Sequence, residues 1–217
     1  MTPTFSQAKD HPKTKPRLFA WLSWTLVIGC LGYFIHRNVP QYFVFTPKSY
    51  GDHFWPRASL LFPHVASGLL AILIGPLQFW SGMRRRYMRA HRIAGRVYVL
   101  AVLAGSIAAL GLAVTIDNGS AYSLGFAGLA VAWLTTTTMA FIAIRQRNIE
   151  QHKQWMIRSY VVTFAFVTFR LLDQVLGSWH VMTDGERAST LAWSCWAIPL
   201  LVTEVVIQSR SLLKAGA

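Results

Sequence analysis

Acidic residues are scarce in this sequence: eight Asp and Glu stand against twenty-one Lys and Arg in 217 residues. Charge of either sign makes up 13% of the chain, where a soluble domain carries roughly a quarter. Together with 53% hydrophobic residues and nine tryptophans, this shortage excludes an ordinary soluble domain and points to a polytopic membrane protein. Cysteine is nearly absent: Cys30 and Cys195 both sit in apolar stretches, read as small hydrophobes, and offer no disulfide framework. A nucleic-acid-binding motif to accompany the net charge of +13 is also missing, so no nucleic acid is expected as a partner. The strict alternation of a membrane barrel is lacking, and open strands in lipid would leave backbone groups unpaired. Helices remain. With no long internal repeat and no low-complexity tract, residues 1–217 read as a single transmembrane helical domain.

Six apolar windows are long enough for the ~30 Å hydrocarbon core, which takes about 20 residues of helix. They run approximately over 18–35, 60–82, 93–116, 121–144, 156–176 and 188–207. The first follows Lys9, Lys13, Lys15 and Arg17, like the charged region of a signal peptide. Its apolar core is longer than a signal core and has no small-x-small cleavage site, so the expectation is a retained first span. The expected fold is all-α, a bundle of six transmembrane helices in a lipid bilayer.

Lysine and arginine in the short loops set the orientation. One side collects the four N-terminal basic residues, then Arg84, Arg85, Arg86, Arg89, Arg92 and Arg96, then Arg145, Arg147, Lys153 and Arg158, and finally Arg210 and Lys214. The other side has Arg37, Lys48, Arg57 and Arg187, offset by Asp52, Asp117, Asp184 and Glu186. Sixteen against four predicts that both termini are cytoplasmic. On the opposite side, residues 37–57 hold three prolines and six aromatic residues, which fits a segment lying on the interface or capping the bundle. The Asp117-Asn118-Gly119-Ser120 turn predicts that spans three and four are tight antiparallel neighbours.

The pattern His-x-x-x-Gly occurs twice, at His64 with Gly68 and at His91 with Gly95. Positions four apart share a helix face, so each imidazole stands beside a gap that can admit a flat ligand. His152 opens a later span. By topology His91 and His152 share the basic side, while His64 lies near the far end of span two, roughly 25 Å away at 1.5 Å per residue. A b-type haem needs two axial imidazoles and cationic partners for its propionates. His91 and His152 supply the pair, Gly95 the room, and Arg92, Arg96 and Arg158 the cations. The competing reading makes both histidines interfacial residues binding water and lipid phosphate. Pro63 before His64 suits the first turn of a helix, and His53 and His180 are the outer residues that could accompany it.

Charges inside spans are informative because each costs on the order of 2.5–3.5 kcal/mol at a helix centre unless paired or hydrated. Arg170, Asp173 and Gln174 share a face of span five and are expected to point into the bundle in the half where His64 lies, as an ion pair or as part of a proton or substrate path. Glu204 in span six lies at the depth of Arg158, and the two are expected to pair. Gly105, Gly111, Gly125 and Gly128 read as close helix packing. Thr135 to Thr138 read as bonding their own helix backbone, with no chemistry assigned.

Together, His64-x-x-x-Gly68, the run Gly75-Pro76-Leu77-Gln78-Phe79, His91-Arg92-Ile93-Ala94-Gly95-Arg96-Val97-Tyr98, and His152-x-x-Trp155-Met156-Ile157-Arg158-Ser159-Tyr160 with Thr168-Phe169-Arg170 resemble the bacterial membrane family called domain of unknown function 2306. The resemblance runs from about Leu60 to Leu172. That family looks distantly similar to di-haem cytochrome b proteins, which implies haem-bearing histidines on a helical bundle, electron transfer, a quinone or other redox partner, and residence in the bacterial inner membrane. Span four has no histidine to pair with His64, so at most one haem is expected. The leading expectation is a haem b-binding electron-transfer protein with His91 and His152 as axial ligands, and His64 is carried as a further cofactor-binding candidate at the far end. The alternative is a non-redox membrane protein, a small-solute or proton carrier or an accessory subunit, built around Arg170, Asp173 and Gln174.

Overall fold

The computed structural model describes residues 15–180 and 182–215, and among them there are helices and no strands. Lys9 and Lys13 lie outside the described residues. Helix α1 spans Lys15–Asn38 and holds the first apolar window. A 3-10 turn at Pro40–Phe43 leads to α2, Pro47–Phe54, which starts where the Thr46 side chain accepts from the Ser49 amide (3.3 Å) with Pro47 in the first turn. Gly51, at φ 66°, bends α2 in a conformation closed to most other residues.

The long helices follow. They are α3 (Ala58–Arg84), α4 (Met88–Thr115) and α5 (Ser120–Arg145), then α6 (Ile149–Thr163), α7 (Ala165–Trp179) and α8 (Asp184–Ala215). Polar turns set their starts. Asn148 accepts from the Gln151 amide at 3.1 Å, and Thr183 with Glu186 forms a reciprocal capping box at 3.0 and 3.4 Å. The window expected at 156–176 is bent rather than straight: α6 and α7 meet at Phe164, whose amide bonds both Tyr160 and Val162. Pro63 is not a start signal. Helix α3 begins at Ala58, so His64 sits in its second turn, inside the bundle.

Five stretches, Pro47–Arg84, Met88–Thr115, Ser120–Arg145, Ile149–Trp179 and Asp184–Leu213, are long and apolar enough to cross a membrane. Their outer faces expose Leu100, Ile107, Val114, Leu201 and Val205, a belt that water would not tolerate and lipid would. Inside, α4 lies between α3 and α5, α5 also meets α6 and α8, and α1 sits at the edge against α7. Small residues allow this closeness: an added Cβ at Gly105 would lie 2.9 Å from the Trp133 ring, at Gly125 it would meet Ala192, and at Gly75 the Tyr160 ring. The core gathers Tyr98, Val102, Trp133, Val162, Leu191 and Cys195.

The bundle thus has two unlike ends. One, the basic end, carries the α3–α4 and α5–α6 turns with their arginines. The other, the aromatic end, is capped by residues 40–57: Tyr50 is buried, donates to the Tyr42 carbonyl at 2.7 Å, and packs with Leu61 and Leu112 over α3 and α4.

Candidate functional site

At the aromatic end a cavity of about 430 Å³ opens among α3, α4, α5, α7 and α8. His64 is on its wall. The Nδ1–H of His64 donates to the Gly105 carbonyl at 3.0 Å, because a carbonyl can only accept. That bond fixes the ring's orientation and turns Nε2 away from the Gly105 carbonyl. Phe166 lies edge-on at 5.5 Å. One turn along α3, Gly68 also lines the cavity, and a Cβ placed there would touch nothing within 4 Å. The gap expected beside His64 is open.

Charged groups of α7 and α8 stand at the mouth. Asp173 accepts from Arg187 Nε at 2.7 Å, and Arg187 Nη2 meets Asp184 at 2.9 Å. Arg187, counted from sequence only as an outer basic residue, thus takes the partner that Arg170 was expected to have. The guanidinium of Arg170 lies 6.0 Å from the Phe169 ring, and no carboxylate among the described residues comes within ion-pair distance of it. Arg170 and Asp173 also line a second, polar cavity of about 260 Å³ between α1 and α7. Gln174 faces that side and accepts from Tyr33 of α1 at 3.0 Å, away from His64. His53 lines the first cavity, whereas His180 is exposed and bonded to its own turn at Ser178.

At the basic end, His91 is half-buried at the start of α4. Its Nδ1 is 2.9 Å from Ser81 Oγ, and Ser81 donates its own proton to the Leu77 carbonyl, so the imidazole is the donor. His152 donates through Nδ1 to the Ala140 carbonyl at 2.9 Å. The two rings are near enough to interact electrostatically. The gap expected at Gly95 is filled: Oε1 of buried Gln78 stands 3.4 Å from where a Cβ would be. Arg92 and Arg96 are exposed. Arg158 is not: at 7% exposure it grips Glu204 through Nε (2.7 Å) and Nη2 (2.6 Å), stacks on Trp155, and leaves Nη1 without a partner.

Between the ends runs a chain of hydroxyls that the sequence reading passed over. Trp133 Nε1 donates to Thr163 Oγ1 at 2.8 Å; Tyr98 is 2.8 Å from both Thr163 and Ser159; Thr137 is 2.6 Å from Ser159. Thr137 was assigned to backbone bonding, which holds for its neighbour Thr136. A sequence signal exists in hindsight: Ser159 and Thr163 are four apart on one face of an apolar helix.

No curated protein and no solved structure matches the chain. A family described as "Predicted membrane protein (DUF2306)" matches residues 61–207, a span that takes in both histidine motifs, most of the cavity wall, the hydroxyl chain and the Arg158–Glu204 pair. Covering more than half of the chain, that match makes it a member of this membrane-protein family.

Proposed function

We propose that the protein is a membrane carrier or binding protein for a small amphipathic anion, seated in the aromatic-end cavity. One observation supports this most: a cavity of about 430 Å³ with an open gap at Gly68 has at its mouth Arg170, which no carboxylate among the described residues approaches within ion-pair distance. That volume falls within the range of small-molecule sites, about 300–1,000 Å³. Phe126, Phe166 and Leu129 receive the apolar body, and Arg170 meets the acidic head. The polar cavity beyond Arg170 and Asp173 is the route in and out. Decanoate is a suitable probe for native mass spectrometry of the detergent-purified protein. Wild type should bind one molecule, and Arg170→Gln should weaken binding by about tenfold or more, the value of a charge-assisted hydrogen bond. Equal binding by both proteins overturns the reading.

A second reading is haem b held by His91 and His152. It is supported by the hydrogen bond that Nδ1–H of each ring makes, which leaves the Nε2 lone pair free to bind iron, as ligating histidines require. Arg92 and Arg96 are free to meet propionates, whereas Arg158 is taken by Glu204. A haem there would supply one-electron chemistry, with a quinone or another redox protein as partner. Gln78 in the gap at Gly95 argues against a ready slot on that side. A reduced-minus-oxidised spectrum after expression with ample haem decides. Haem bands that vanish in both His91→Ala and His152→Ala establish it, and a flat wild-type spectrum removes it.

The basic-residue asymmetry supports an inner-membrane protein with both termini cytoplasmic, so that the aromatic-end cavity opens away from the cytoplasm.

A further inference from the structure

The hydroxyl chain joins the floor of the cavity to the middle of the bundle. Thr163 and Trp133 line the cavity; Tyr98, Ser159 and Thr137 lie behind them, each at most 2% exposed. Every link is 2.6–2.8 Å, and three helices, α4, α5 and α6, contribute. A network holding helices together needs no order of protons. This one has an order.

Thr163 donates its single proton to the Ser159 carbonyl at 2.8 Å. Tyr98 must then be the donor to Thr163, Ser159 the donor to Tyr98, and Thr137 the donor to Ser159, since each hydroxyl has one proton to give. The O–H bonds of Thr137, Ser159 and Tyr98 then all point toward Thr163 on the cavity floor, and that of Thr163 points back to its own helix until it turns to release its proton. Thr163 also lies within bonding distance of Tyr98, so turning its hydroxyl from the carbonyl to the phenol lets the chain reset in the opposite polarity. A chain with two complete polarities, interconverted as the four hydroxyls turn in sequence from Thr163 back to Thr137, is what proton hopping requires.

We propose that Thr137, Ser159, Tyr98 and Thr163 form a proton relay between the basic-end half of the membrane and the cavity. A proton arriving from water on Thr137 oxygen displaces the Thr137 proton to Ser159, the Ser159 proton to Tyr98 and the Tyr98 proton to Thr163, which releases its own to cavity water. Counting the water that delivers the proton and the water that takes it, five O–H bonds break and five form, with no change of oxidation state. The two cavities, both lined by Arg170 and Asp173, are the space through which water would continue the path to the aromatic end. On the other side Thr137 is eight residues from Arg145, roughly 12 Å of helix, the stretch that water must bridge.

The experiment is proton flux into proteoliposomes containing a trapped pH dye, driven by a potassium gradient with valinomycin. It uses no ligand, so its failure leaves the cavity reading standing. Wild type should exceed protein-free vesicles. Thr137→Val and Tyr98→Phe should lower the excess by on the order of a hundredfold, as loss of a positioned proton-transfer group does. Thr137→Ser, which keeps the hydroxyl, should restore it, and Thr136→Val, one residue away and bonded to the Ala132 carbonyl, should match wild type. Wild-type flux no faster than empty vesicles, equal flux in Thr137→Val and wild type, or a slow Thr137→Ser each overturns the relay.

Discussion

His64 and His91 begin the same four-residue spacing to glycine, yet the two ends of the bundle use it in opposite ways. Beside His64 the space at Gly68 is empty and belongs to a cavity; beside His91 the space at Gly95 holds the Gln78 side chain. The difference comes from what faces each helix. At the aromatic end α3 looks across the cavity at α7 and α8, whose Asp173, Arg187 and Asp184 pair with one another at the mouth and leave the space beside His64 open. At the basic end α3 and α4 are joined by a turn of three residues, Arg85 to Tyr87, in which Arg85 and Tyr87 both adopt positive φ. So tight a hairpin presses Gln78 and Ser81 onto the first turns of α4, and a Cβ at Gly82 would crowd the His91 ring at 3.3 Å. A glycine beside a histidine is therefore a gap only where no neighbouring helix reaches it.

The largest effect separates the ends by charge. Arg158 is buried with a single carboxylate partner, whereas the arginines of the aromatic end share two aspartates or have none. Removing one member of a buried pair costs about 3–5 kcal/mol because the other charge stays desolvated. Glu204→Ala should therefore destabilise the protein by about 3 kcal/mol, the low end, since the Glu204 side chain is 41% exposed. Asp184→Ala, in which the aspartate is 93% exposed and Arg187 keeps Asp173, should cost less than about 1 kcal/mol. Thermal unfolding in detergent measures both, and equal losses would break the contrast.

Next come the glycines themselves. Gly68→Phe places a ring in empty space: it should leave stability unchanged and weaken decanoate binding by on the order of a hundredfold. Gly95→Leu overlaps Gln78 and should show the reverse, a loss of about 1–3 kcal/mol with decanoate binding intact. Native mass spectrometry and melting curves on the same two proteins sharpen the comparison, and a Gly68→Phe variant that binds decanoate normally ends it.

The windows 60–82, 93–116, 121–144, 156–176 and 188–207 were legible because apolar runs of that length have few alternatives in lipid, and the depth match of Arg158 with Glu204 was legible for the same reason. The start of α3 was not. Pro63 looked like a first-turn proline, but the Trp55-Pro56-Arg57 turn begins the helix five residues earlier. Nor was the break at Phe164, where neither proline nor glycine gives a signal and the bend follows from packing on α8 and α3. Ion-pair partners are set by which helices touch: Asp173 had Arg170 three residues away in sequence and found Arg187 on the next helix. The hydroxyl chain draws one or two residues from each of three helices, so no local pattern announces it.

The smallest effect concerns the outlet at the aromatic end. Helix α1 borders the polar cavity and touches α7 there through the hydrogen bond that Tyr33 donates to Gln174. Interhelical hydrogen bonds in bilayers average about 0.6 kcal/mol, because the separated helices find other partners. A double-mutant cycle on Tyr33→Phe and Gln174→Leu should give a coupling near that value. Stability should hardly move, but decanoate release should quicken, since this bond closes the cavity that lies between Arg170 and the bulk. Faster release with nearly unchanged melting identifies α1 as the movable wall. Unchanged release in both single variants places the exit elsewhere, most simply past His53 and the aromatic cap, and the two ends would then differ in what they hold but not in how they open.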